Sequence, residues 1–245
     1  MKKGIVVAFP GIRYTCGQPL VQDCLAFYKA RGYETLCLDF AGVSFDGTAD
    51  MSRAAEAALP SILGQLSGVC FADYTDVVFL AKSLGTLCAV RTAKALAMQP
   101  RFFLLTPLEE TLQELPPDGN VFGAVVGTKD AHLPAARLEQ FCRERAVPCL
   151  IVPEVGHRLQ FEDTAKTESV NRSIVAMLRR KTETKKEPEH LLTASRSGSL
   201  LFIIRKLTRP YTRSRCGPGQ HQQPQHGLSS RCPASRYGRS AGRPC

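Results

Sequence analysis

Short apolar runs alternate along the chain with stretches in which apolar residues recur at every third or fourth position. The runs "GIVVAF", "TLCLD", "DVVFLA", "FFLLT", "VFGAVVG" and "CLIVP" predict strands over 4–9, 35–39, 76–81, 102–106, 121–127 and 149–153. The periodic stretches between them predict helices over 19–31, 51–66, 84–98, 134–145 and 164–180. Strand and helix alternating this regularly require crossover connections. The expectation is therefore an α/β protein with a mostly parallel sheet and helices on both faces. No internal repeat interrupts the pattern.

A sheet of this kind does its chemistry at the carboxyl ends of its strands. The residues found there are "PGIRY" after the first strand, "AGVSFDG" after the second, "KSLGT" after the third, "TKD" after the fifth and "EVGHR" after the sixth. A serine, an aspartate and a histidine thus fall, in that chain order, on one edge of the sheet.

Ser83 stands where the third strand turns directly into a helical pattern. A serine on so sharp a turn needs small residues two before and two after it, and Ala81 and Gly85 meet that need. Leu84 opens the helix behind it, so its backbone N–H is directed toward a developing negative oxygen. "FLAKSLGT" resembles the nucleophile elbow of the α/β-hydrolase superfamily, with Ala81 in place of the first glycine.

Two further segments share the resemblance. "NVFGAVVGTKDAHLP" is similar to the superfamily's acid segment and implies Asp130 as the acid; on its own, Asp130 is equally a turn or capping aspartate. "CLIVPEVGHRLQFED" resembles the last loop, with His157 as the match. His132, the other histidine of residues 1–180, lies too close in the chain to Asp130 to receive its carboxylate. The resemblance implies that Ser83 attacks, His157 moves the proton and Asp130 orients the imidazole. "AFPGIRYT" is similar to the superfamily's oxyanion turn, with Pro10 for its histidine, and implies the backbone N–H groups of Ile12 and Leu84 as donors. Arg13 and Tyr14, on the same loop, are candidates for substrate contact, against an exposed arginine and a packed tyrosine. Lys82 and Asp39 read as structural, the latter as a strand-end residue bonding nearby backbone.

The resemblance extends over about residues 4–180, with two omissions. No antiparallel pair precedes the first strand, and only the 13 residues "LEETLQELPPDGN" separate the fourth strand from the fifth, room for a short helix but for no lid domain. An open site suits small esters or thioesters better than long acyl chains. The function implied is a serine hydrolase acting on a small-molecule acyl substrate through an acyl-enzyme, with acyl transfer as a close variant. A non-catalytic protein holding an anion at the helix N-terminus is the alternative.

Composition divides the chain of 245 residues at about residue 180. The first part, 1–180, is charge-balanced, while 181–245 carries 13 Lys and Arg against 3 Asp and Glu and holds the whole net charge of +10. That tail, rich in Arg, Ser, Pro, Gly and Gln, is expected to be disordered and accessory. Its charge would permit contact with nucleic acid or an anionic membrane, but no nucleic-acid motif accompanies it, and "SLLFIIRKL" is too short to span a bilayer. At the other end, five apolar residues before Pro10 are too few for a secretory core, which implies a cytoplasmic protein. Cys16, Cys24, Cys37, Cys70, Cys88, Cys142 and Cys149 show no CxxC pairing and read as reduced, mostly buried thiols. No metal or cofactor motif is present.

Overall fold

β-Branched and aromatic runs flanked by turns become the strands of one sheet. The structure, a computed structural model, describes residues 1–45 and 50–179. The expectations placed on residues 181–245 lie outside the described residues. Strands β1 (Ile5–Phe9), β2 (Glu34–Cys37), β3 (Val77–Lys82), β4 (Arg101–Leu105), β5 (Val121–Gly127) and β6 (Cys149–Val152) pair in the order β2-β1-β3-β4-β5-β6, every pair parallel. The α/β expectation holds, with strand bounds moved by one or two residues.

Helices α1 (Pro19–Lys29), α2 (Met51–Leu66), α3 (Leu84–Ala95), α4 (Glu109–Glu114), α5 (Ala135–Glu144) and α6 (Thr164–Arg179) make the crossovers and the C-terminal cover. Strand alternation decides which helices meet which side chains. Ile5, Val7, Phe9, Phe79, Ala81, Phe102 and Leu104 pack beneath α2, α3, α4 and α5. Val6, Ala8, Val78, Leu80, Phe103 and Leu105 pack on the opposite face with α1 and α6. The chain leaves β1 toward β2, then returns past β1 to β3, so the carboxyl ends of β1 and β3 flank the point where the strand order reverses. Crevices form at such points.

Local chemistry accounts for the boundaries. Pro19 opens α1 at the first helical position, where its missing N–H costs nothing. Asp50 caps α2 by accepting from the N–H groups of Ser52 (2.8 Å) and Arg53 (3.2 Å). α3 stops three residues short of the expected 98, because Ala97 adopts φ 48° and the Met98 N–H closes on the Ala93 carbonyl. The segment too short for a lid forms only α4. Of the seven cysteines noted above, all free, Cys16, Cys24, Cys88 and Cys142 are buried and Cys149 half-buried, but Cys37, the last residue of β2, and Cys70, in the connection from α2 to β3, are exposed.

One close approach positions the site. The first turn of α3 lies on the end of β1, so that a Cβ at Gly85 would stand 2.3 Å from the Pro10 carbonyl oxygen and 2.5 Å from that of Phe9. Both obstacles are backbone, which has little freedom to yield. Gly85→Ala should therefore cost about 1–3 kcal/mol and lower Tm by roughly 3–10 °C in thermal unfolding. An unchanged Tm would show that α3 does not bear on β1.

Candidate active site

The turn from β3 into α3 gives Ser83 φ 54° and ψ −125°, a left-handed backbone that only a strongly constrained non-glycine residue keeps. Several bonds supply the constraint. The Ser83 N–H donates to the Leu105 carbonyl (3.0 Å), while the Ser83 carbonyl accepts from the Thr86 N–H (2.8 Å) and the Thr86 hydroxyl (2.7 Å). The Thr86 and Thr111 hydroxyls bond in turn at 2.7 Å, tying the elbow to α4. From the other side, the loop after β1 presses on the serine: a Cβ at Gly11 would lie 3.0 Å from that of Ser83.

His157 reaches Ser83 from the loop after β6. Its Nε2 is 2.7 Å from the Ser83 Oγ, and its Nδ1 is 2.8 Å from Oδ2 of Asp130. A carboxylate only accepts, so Nδ1 carries the proton and Nε2 presents a lone pair to the serine hydroxyl. The other oxygen of Asp130 accepts from the backbone N–H of His132 (2.8 Å) and of Leu133 (3.4 Å). Asp130 is thus at once the turn-capping aspartate and the partner of His157. Backbone bonds from Thr128 N to Val152 O (2.8 Å) and from Lys129 N to Val155 O (2.9 Å) hold the two loops together.

The electrostatics follow from burial and neighbours. Burial pulls the Asp130 carboxyl upward, but the hydrogen bond from His157 and those from the turn amides outweigh it and hold the group below its ordinary range. His157 moves down from its ordinary value of 6.5, chiefly through burial, with the charge of Lys82 and of His132 acting in the same direction against Asp130. The imidazole therefore favours its neutral form at pH 7. The His132 ring lies 4.4 Å from that of His157, centre to centre, at 58°.

The remaining expected residues divide. Ile12 lies on the loop between Gly11 and Tyr14, whose backbone groups bond reciprocally (3.1 and 3.2 Å), and Leu84 is the first residue of α3. Arg13 is exposed, with φ 55°, on the wall of a groove of about 800 Å³ beside the elbow, which Cys37, Asp39, Phe40, Val43 and Phe45 also line. Tyr14 does not share that position. It is buried, because its ring packs under the Lys82 ammonium, 4.8 Å from Nζ, and it is unavailable to a ligand in the groove. Asp39 accepts from the Ala41 N–H at 2.9 Å, a turn role as expected.

Lys82 is the residue sequence reasoning undervalued. It is fully buried, and its amine donates to the Thr106 hydroxyl (2.5 Å) and the His157 carbonyl (2.7 Å). Strand parity carried the clue: Lys82 shares a face with Val78 and Leu80, both in the core.

No protein-family model and no curated protein matches the sequence. Solved structures do resemble the fold. A protein of unknown function from Agrobacterium tumefaciens, grouped with the α/β hydrolases, is 17% identical with a TM-score of 0.52, over 77% of this chain and 89% of that one. An α/β serine hydrolase homologue from Coxiella burnetii is 15% identical (TM-score 0.51, 72% and 85% covered). A protein from Xanthomonas campestris, grouped with the hydrolases of the α/β superfamily, is 18% identical (TM-score 0.50, 73% and 99% covered). With its parallel sheet, its strand-to-helix elbow and these likenesses, the chain has the fold of the α/β-hydrolase superfamily.

Proposed function

We propose that the protein is a serine hydrolase that cleaves a small carboxylic ester, thioester or related acyl bond through an acyl-enzyme on Ser83. The observation that carries this reading is the unbroken chain of contacts from the Ser83 Oγ through His157 (2.7 Å) to Asp130 (2.8 Å) at the carboxyl edge of the sheet. The hydrolase names of the fold's relatives agree with it.

Serine is a weak nucleophile at neutral pH, and each partner answers one deficiency. His157 Nε2 takes the hydroxyl proton as Oγ bonds to the acyl carbon. The carbonyl electrons move onto oxygen, which the N–H groups of Ile12 and Leu84 receive, and the α3 N-terminus adds its partial positive charge. Collapse of this intermediate expels the alcohol or thiol, which collects the proton from His157. Water then repeats the sequence on the acyl-enzyme, activated by the same imidazole, and releases the acid. Asp130 keeps the tautomer and stabilises the imidazolium in both halves. The groove beside Ile12, open to solvent, suits a small acyl group.

Three outcomes are expected. Wild-type protein treated with a small fluorophosphonate should gain one adduct by intact mass, and Ser83→Ala should lose both the adduct and ester hydrolysis with Tm almost unchanged; an adduct retained by the variant would remove Ser83 from its role. Asp130→Asn keeps the oxygen that caps the turn but presents the wrong tautomer to His157, so kcat should fall by about 10³–10⁴-fold, and near-normal turnover would contradict the assignment. Because the folded-state pKa of His157 lies below 6.5, kcat/KM should rise with pH on deprotonation of a group titrating below that value. A profile flat from pH 5 to 9 would rule out a histidine base.

A further inference from the structure

We infer that Lys82, the residue before the nucleophile, is a positioning residue that locks the histidine loop to the elbow and sets the charge balance around the imidazole. The inference rests on the serine-hydrolase reading only for its kinetic consequences.

The geometry is that of a built site. An amine this deeply buried is held only where its protons find partners, because an unpartnered buried donor costs more than the bond it lacks. Two partners of Lys82 are oxygens from different parts of the fold: the hydroxyl of Thr106, just beyond β4, and the backbone carbonyl of His157. The third direction faces the Tyr14 ring, from the loop after β1, with Nζ 4.8 Å from its centre. One side chain thereby joins the ends of β1, β3 and β4 to the loop that carries the base. Among the described residues no carboxylate bonds the amine; Asp130 acts on it through space, and Arg158 opposes it from the histidine loop. Burial accordingly pushes Lys82 down from 10.5 to about 7, against the pull of Asp130.

Two effects follow. Bonding of Lys82 to the His157 carbonyl fixes the loop backbone directly above the 2.7 Å contact with Ser83. Its ammonium charge, acting against that of Asp130, opposes protonation of the imidazole. Neither effect involves touching substrate.

The test compares wild type with Lys82→Met, which nearly preserves volume but supplies neither donor nor charge. Kinetics on a short acyl ester would be combined with ring titration of the histidines by NMR, the His157 signal being assigned with His157→Gln. Expected are a fall in kcat of about 10–100-fold, as for a misplacement on the order of 1 Å, a KM within about two-fold of wild type, and titration of His157 at higher pH in the variant. Wild-type kcat, or lower activity with the His157 titration unmoved, would overturn the inference. If Lys82→Met does not fold, Thr106→Val keeps the charge and removes one anchor; a few-fold loss of kcat supports the tether and wild-type kcat overturns it. The ring titration needs no turnover. A wild-type protein that forms no fluorophosphonate adduct would therefore end the hydrolase reading while the titration still decides the role of Lys82.

Discussion

The rest of the site depends on one backbone conformation, the left-handed turn at Ser83. Such a residue costs about 1–3 kcal/mol and persists only where its surroundings over-determine it. Here they do so from three sides: β4 accepts its N–H, Thr86 takes its carbonyl twice, and the loop after β1 lies against its side chain. The contact of α3 with β1, possible because Gly85 has no side chain, brings the Leu84 N–H beside that loop. A strained residue is thus a property of the sheet's parallel register and of one glycine, not of the serine alone.

Around that turn, environment gives three ionisable groups different states at the same pH. Asp130 spends one oxygen on the turn amides and the other on His157, so its charge is stabilised despite burial. His157 is driven toward its neutral form by burial and by cationic neighbours. Lys82, bonded to no carboxylate among the described residues, is pushed down from 10.5 to about 7 by burial. Proton affinity in this cluster is divided by hydrogen-bond geometry and desolvation, with net charge secondary.

Periodicity made the sheet legible, since buried parallel strands are apolar on both faces and stand out from amphipathic helices. Chain order alone then assigns Ser83, Asp130 and His157 to one edge. What stayed hidden was what depends on approach between distant segments. Tyr14 read as a substrate contact or as a packed side chain, and its burial under the Lys82 amine decides for packing. Lys82 reads as structural because the residue before the elbow serine ordinarily points toward solvent or packing, and its parity with Val78 and Leu80 directs it inward. The ends of β2 are blurred because Glu34 and Cys37 are exposed and Thr35 and Leu36 only half-buried, leaving a weaker apolar signature than the central strands.

The placement of His157 on the β6 loop has a further meaning. β6 is four residues long and ends the sheet among the described residues, paired only with β5, whereas β3, which delivers the serine, has a partner on each side. Amide exchange in native proteins is governed by cooperative openings, and these begin at rims with few partners rather than at the centre. Ser83 and His157 therefore belong to regions of unequal local stability. The molecule can lose its trio through a transient opening of the rim while the sheet that strains Ser83 remains folded.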